Sequence, residues 1–308
     1  MTMLALEVGR RGFTAAQIAE GVDDEDIRRV PFPAGSPWDR CRELLLEVAA
    51  GAEVSALGIA CPGTIDMAAG VVAIPEIPQW RAGFAIVEAA RAVFPTAAVQ
   101  LALDGVCLAL AEHAFGASQG VMDSLAISVS DRISAGMMVG DLAVVGRTGN
   151  AGNIGHVLVP GFDERCSCGG HGCLEAVAGG TAVRRWARAQ GWSGESVADL
   201  VASADVGDEI AVAALGRAGE ALGLAVSSVA ALLDIDLVVL GGGMATAGPA
   251  LWKPLGEAVA EHARLGYLAG LRVVASPLGD IAVLAGAGVL ALTALERAAA
   301  MARTSAGN

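Results

Sequence analysis

Residues 3–9, MLALEVG, form a short apolar run closed by a glycine, the pattern of a buried strand. Segments 12–20 and 28–34 continue as strands of a meander. After Pro37 the period changes. WDRCRELLLEVAAG spaces its apolar positions three and four apart and stops at Gly51, which predicts a helix. VSALGIACPG (54–63) reads as a strand running into a Pro-Gly turn. VVAIPEIPQW (71–80) is a strand leaving into a proline-broken loop, 83–93 a helix, and 97–104 a strand that delivers Asp104 at its C-terminal end. A helix follows from Gly105. Residues 124–130 and 133–140 predict a hairpin. Helices cover 180–233, the last of them long and alanine-rich. A strand over 233–243 ends in three glycines, and helix 249–263, strand 271–277 and helix 282–300 close the pattern. The tail 301–308 is expected to fray.

Alternating strands and helices over 308 residues predict an α/β chain of two lobes. The expected lobes are 1–116 together with the last helix (about 290–308), and 117–289. The net charge of −13 argues against nucleic-acid binding, which wants a basic face. Lys253 is the sole lysine. No cationic start leads into an apolar signal core, and glycines or charges interrupt every long apolar run. These features predict a cytoplasmic protein without a membrane span. Cys41, Cys61 and Cys107 lie in apolar runs and read as buried reduced thiols.

The other three cysteines change the picture. GNAGNIGHVLVPGFDERCSCGGHGCLE (149–175) holds His156, Cys166, Cys168 and Cys173 within a short span. One imidazole and three thiolates are a common ligand set for structural Zn²⁺. Gly169, Gly170 and Gly172 permit the tight turns that bring such ligands together. His171 is a rival fourth ligand on spacing alone.

With NIGH followed by CSCGGHGCLE, the sequence resembles the ROK family (repressor, open reading frame, kinase). Weaker matches are ALGIACPGTID (56–66), the Asp104 turn with Glu112 and Gly116, and LVVLGGGMATAG (237–248). The resemblance implies a two-lobed, actin-like, ribonuclease-H-like sugar kinase fold with a cleft between the lobes, and a homodimer. Family repressors carry a winged helix-turn-helix before the first strand. Here that strand begins almost at Met1, which points to the kinase branch and its glucokinases and other carbohydrate kinases.

The family's chemistry moves the ATP γ-phosphoryl to a sugar hydroxyl, with an aspartate base, sugar contacts, and backbone amides and Mg²⁺ around the phosphates. The resemblance makes Asp104 the base; read by itself, the residue serves equally as a helix N-cap. It makes His156 both a zinc ligand and a neighbour of the sugar, and Glu175 an acceptor for a sugar hydroxyl. Departures are frequent elsewhere. Leu103 stands where asparagine is usual, Asn153 where glutamate is usual, and Glu76 where asparagine is usual. The first phosphate loop, D-x-G-G-T-K in the family, reads Glu7-Val8-Gly9-Arg10-Arg11-Gly12. The second, G-T-G-I-G, reads Ser130-Asp131-Arg132-Ile133-Ser134 and has lost every glycine. Asp131 puts a negative charge where a phosphate belongs, a cost of about 4 kcal/mol at about 4 Å and an effective dielectric of about 20 unless an arginine offsets it. Gly241, Gly242 and Gly243 are retained, in a pattern that also suits a strand entering a helix.

Arg10, Arg11 and Arg132 have thus entered both phosphate loops. They form either a new anion site or a plug in which Arg11 or Arg132 pairs Asp131 or Glu7; the plug is favoured because buried charges must find partners. The expectation is a sugar kinase-like protein with weak or lost ATP and Mg²⁺ chemistry and a retained sugar or sugar-derivative site. The alternatives are an active carbohydrate kinase and a non-catalytic interaction protein.

Overall fold

The computed structural model describes residues 2–18 and 27–306 and divides into two compact units. The first takes in Met1–Ala114, Val144–Ala151 and Ile281–Asn308. The second takes in Phe115–Ala143 and Gly152–Asp280. Residues 19, 20, 307 and 308 of the expected strand and tail lie outside the described residues.

The first unit opens with β1 (Thr2–Val8), β2 (Gly12–Ile18) and β3 (Arg28–Pro31), an antiparallel meander. Then come α1 (Pro37–Ala49), β4 (Val54–Cys61), the small antiparallel pair β5 (Thr64–Asp66) and β6 (Val71–Ala73), α2 (Ile86–Val93), β7 (Ala98–Leu103) and α3 (Asp104–Phe115). The five-stranded sheet has the order β3-β2-β1-β4-β7, with β1, β4 and β7 parallel. Parallel strands are covered on both faces and carry continuous apolar runs; β4 is buried from Ala56 to Cys61. Helix α1 starts as its sequence predicts, with the Ser36 hydroxyl accepting from Asp39 N and Pro37 in the first turn. Its left-handed cap falls on Ala50, one residue before the expected glycine.

The second unit contains β8 (Ser124–Val129), β9 (Ile133–Val139), β10 (Leu142–Ala143), α4 (Leu174–Ala178), α5 (Gly180–Ala189), α6 (Val197–Asp205), α7 (Glu209–Leu233), β11 (Leu237–Gly241), α8 (Pro249–His262) and β12 (Arg272–Ala275). Its sheet runs β10-β9-β8-β11-β12, with β8, β11 and β12 parallel. Helix α7 is the centre of the core. Ala214, Ala218, Leu222 and Ala225 are buried, and Gly219 and Gly223 let its backbone close on Leu251 and Leu255 of α8. Helix α6 begins with the capping box of Ser196 and Asp199.

The last helix, α9 (Ala282–Ala306), returns to the first unit and packs on β4, β1 and β7. It continues through Arg303 to Ala306, so most of the expected frayed tail is helical. A methyl group on Gly58 of β4 would lie 1.9 Å from the Ala287 carbonyl oxygen, so this contact requires a glycine. Two helices, α7 and the segment 279–304, are long and apolar enough to cross a membrane. In α7 that apolar surface faces the core just described.

Candidate functional site

In the first unit, side chains singled out in the sequence gather at the C-terminal ends of the parallel strands, where α/β sheets present ligand-binding groups. Glu7 is the penultimate residue of β1, opposite Ala60, Cys61 ends β4 opposite Leu103, and Asp104 follows β7 directly. Asp104 Oδ1 accepts from the Gly105 amide at 2.7 Å, at the first residue of α3. Burial pushes the Cys107 thiol well up, and the charges of Asp104 and then Glu7 add to the effect. Burial thus disfavours the Cys107 thiolate. The β1–β2 connection is a tight turn in which Gly9 N donates to Gly12 O at 2.9 Å, leaving Arg10 and Arg11 exposed. Glu76 is exposed on the 74–84 loop. That loop is held by Trp80 stacked on Phe84 (centroids 4.5 Å apart) and in contact with Phe13.

In the second unit, the β8–β9 turn is fastened on every side. Ser130 N donates to Arg132 O at 3.0 Å. Gly180 N and Thr181 N, at the start of α5, donate to Ser130 O (2.7 Å) and Asp131 O (3.1 Å). Gly243 N donates to Ser130 Oγ at 3.4 Å. Asp131 is neutralised by Arg184, whose Nη2 lies 2.9 Å from its Oδ1 and whose Nη1 also donates to Glu195 O at 2.7 Å. Arg132 Nε lies 3.5 Å from Glu175 Oε1, and Glu175 Oε2 accepts from Ile133 N at 3.2 Å. The substituted loop is thus tied down by ion pairs. Arg184 and Glu175, outside the loop, are among their partners. Helix N-termini and glycine turns are ready donors for phosphate. Here the donors of α5 and Gly243 point at the chain's own oxygens.

The 156–173 segment brings four donors together. The ligand atoms of His156, Cys166, Cys168 and Cys173 all lie within 4.8 Å of one another. Cys166 Sγ is 3.6 Å from His156 Nδ1, and Cys168 Sγ is 3.8 Å from Cys173 Sγ. A tetrahedron built on Zn–S of about 2.3 Å and Zn–N of about 2.05 Å has S···N and S···S edges of about 3.6 and 3.8 Å. The donors therefore fit zinc in chemistry and in spacing. His171 is placed otherwise: its Nδ1 lies 3.4 Å from Asp163 O. Backbone bonds Cys166 N to Gly170 O (2.8 Å) and Gly172 N to Glu164 O (3.0 Å) shape the turn. Gly172 has φ +70°, and a side chain there would strike Phe162 O. Burial and the neighbouring thiols push Cys173 up to about 12. The Gly170 amide and the neighbouring thiols pull exposed Cys168 down.

Sequence reasoning missed the residue that anchors this turn. Arg217 of α7 pairs with Glu164 and lies over the rings of Trp186 (4.9 Å) and Phe162 (5.3 Å). Its signal was present, because an arginine in so apolar a helix needs a partner. Arg184 carried less signal, since α5 is rich in arginine. Of the residues singled out, Glu7 and Asp104 share one sheet end in the first unit, with Arg10, Arg11 and Glu76 on its loops. In the second unit, Asn153 caps the short turn that carries His156, and Glu175, Asp131 and Arg132 lie together beside Gly243.

Comparison with known proteins places these motifs. The ROK family model matches residues 3–294. A glucokinase of Thermotoga maritima is 33% identical over 264 residues, spanning 80% of this chain and 82% of its own. A kanosamine kinase of Amycolatopsis mediterranei is 34% identical over 241 residues, 78% of each chain. The structure of a ROK hexokinase from Thermus thermophilus superposes with a TM-score of 0.83 at 31% identity, covering 96% of this chain and all of that one.

Proposed function

We propose, for a chain that belongs to the ROK family and has the actin-like sugar kinase fold, a carbohydrate-binding protein of glucokinase lineage whose ATP-dependent phosphoryl transfer is weak or lost. The observation that carries this reading is the closed β8–β9 turn. Phosphoryl transfer relies on amides, lysine and Mg²⁺ around the triphosphate. In this chain the amides of Gly180, Thr181 and Gly243 already donate to Ser130 and Asp131. Arg10 and Arg11 replace the small and polar residues of the first loop, and no lysine stands in either loop. These residues do not fit a nucleoside triphosphate.

The sugar side supports binding. On this reading Asn153, His156 and Glu175 of the second unit contact hydroxyls; in the first unit, Glu76 stands at a sugar-contact position of the family pattern and Asp104 at that of its base. A carboxylate accepts a hydroxyl proton in a charge-assisted bond, about twice as strong as a neutral one. Asn153 and Glu76 invert the donor and acceptor types of the family pattern, so the ligand preference differs from that of the relatives. Zinc held by His156, Cys166, Cys168 and Cys173 is structural, since four protein ligands leave no position open for chemistry. The reading also takes the protein to be a cytoplasmic homodimer, whose assembly state sedimentation tests.

A second reading, an active carbohydrate kinase, is favoured by Asp104 at the end of β7 and by the kinases among the relatives. Calorimetry with glucose, N-acetyl sugars and ATP–Mg²⁺ separates the two. The first reading expects heat from a sugar and none from the nucleotide. Nucleotide binding at ordinary enzyme affinity, with turnover, gives the second.

A further inference from the structure

We propose that Arg132 is an internal competitor for the Glu175 carboxylate, so that a neutral sugar must displace its guanidinium to bind. The inference rests on reading Glu175 as a sugar contact and adds the way that contact is regulated. Two consecutive residues of one turn engage both oxygens of this carboxylate: Arg132 Nε stands 3.5 Å from Oε1, and Ile133 N donates to Oε2 at 3.2 Å. The Glu175 side chain is 13% exposed and that of Arg132 is 36% exposed, so the guanidinium is the partner with access to solvent. The turn itself is pinned. Ser130 N bonds Arg132 O, α5 amides bond the carbonyls of Ser130 and Asp131, and Asp131 is held by Arg184. The backbone of Arg132 is therefore fixed, so displacing the guanidinium from Glu175 is a movement of its side chain alone. The Ile133 amide stays on Oε2 and orients the carboxylate, while Oε1 is the atom for which a hydroxyl and the guanidinium compete.

The charges favour competition over an anion site. Asp131, Arg132, Glu175 and Arg184 make two ion pairs whose formal charges cancel. An added anion would meet the carboxylates of Asp131 and Glu175 beside the two arginines, whereas a hydroxyl needs only one oxygen of Glu175. A partly exposed ion pair is weakened by salt. Competition therefore makes neutral-sugar affinity rise with ionic strength, whereas an arginine that holds an anionic ligand makes affinity fall.

Calorimetry on the full chain tests this with glucose and N-acetylglucosamine, at low and high salt, for wild type, Arg132→Gln, Arg132→Lys and Glu175→Gln. Thermal unfolding of each variant monitors the fold. Arg132→Gln should bind about two- to fivefold more tightly, as expected for removing a partly exposed pair, and should lose the salt dependence. Arg132→Lys should keep the charge and the salt dependence, and Glu175→Gln should lose binding. Equal or weaker sugar affinity in Arg132→Gln overturns the competition while leaving the sugar site in place. Wild-type affinity in Glu175→Gln, or no binding by either wild type or Arg132→Gln, overturns the reading of the site and the competition with it.

Discussion

Replacing Arg217 with alanine should loosen the metal turn from the core of the second unit. The guanidinium bonds the Glu164 carboxylate and lies 4.9 and 5.3 Å from the centres of Trp186 and Phe162. A hydrogen bond between charged groups contributes about 1.5–3 kcal/mol, and each cation–π contact about 0.5–1 kcal/mol. Exposures of 26% and 28% discount the ion pair, so about 2–3 kcal/mol remains. Removing the arginine also strands a carboxylate whose Oε2 is already buried without a partner. At about 2–4 °C per kcal/mol for a unit of this size, the unfolding temperature should fall by about 5–10 °C. The pH dependence identifies the cause. Burial alone would raise the Glu164 carboxyl, but the Arg217 hydrogen bond, backbone amides and the Arg217 charge outweigh it and hold it below its ordinary 4.5. A depressed carboxyl contributes its stability above the unfolded value and loses it as pH falls through the folded one. The deficit of Arg217→Ala should therefore be full at neutral pH and shrink below about pH 4.5. Calorimetric melts across pH, with zinc analysis alongside, measure both effects. A variant that melts like wild type at pH 7, or a deficit equally large in acid, would refute the clamp.

Cys173→Ser should lower bound zinc and solubility together, because metal binding contributes to folding; wild-type melting with full zinc in that variant contradicts the structural role. Zinc should also leave as pH falls, since protons compete for the thiolates, and a metal-sensitive dye reads the release. Gly58→Val should destabilise the first unit by about 3 kcal/mol or more, because even its Cβ meets backbone of α9 at 1.9 Å; urea unfolding checks this. Restoring glycine at 130, 132 and 134 should not lower phosphoryl transfer in a coupled assay, because the present side chains do not serve it. A drop would favour the active-kinase reading.

Much of the architecture was legible because its signals are local. Hydrophobic period separates α7 from β11, and the Cys-Ser-Cys turn declares its ligands by spacing. The choice of His156 over His171 came from the family resemblance and was not legible in the spacing, since both lie at suitable sequence distances. It depends on the Arg165–His171 bridge that turns His171 toward Asp163. The partners of Asp131 and Glu175 were hidden for a related reason. Arg184 reaches Asp131 only because the start of α5 is bonded to the β8–β9 turn, a contact between segments some fifty residues apart. Charge counting within the loop could anticipate that Asp131 needs an arginine, but not which one. The short strands β5 and β10 escaped notice because two or three residues carry too little pattern.

The central claim is that the sugar side of the fold persists while the phosphate side is closed by its own residues. Steady-state turnover of the purified, zinc-loaded chain with ATP–Mg²⁺ across hexoses and N-acetyl sugars tests it most directly. The account predicts rates far below the ordinary enzyme range of about 1–1000 s⁻¹ for every sugar, including any that calorimetry shows to bind. Turnover within that range for any of them would contradict it.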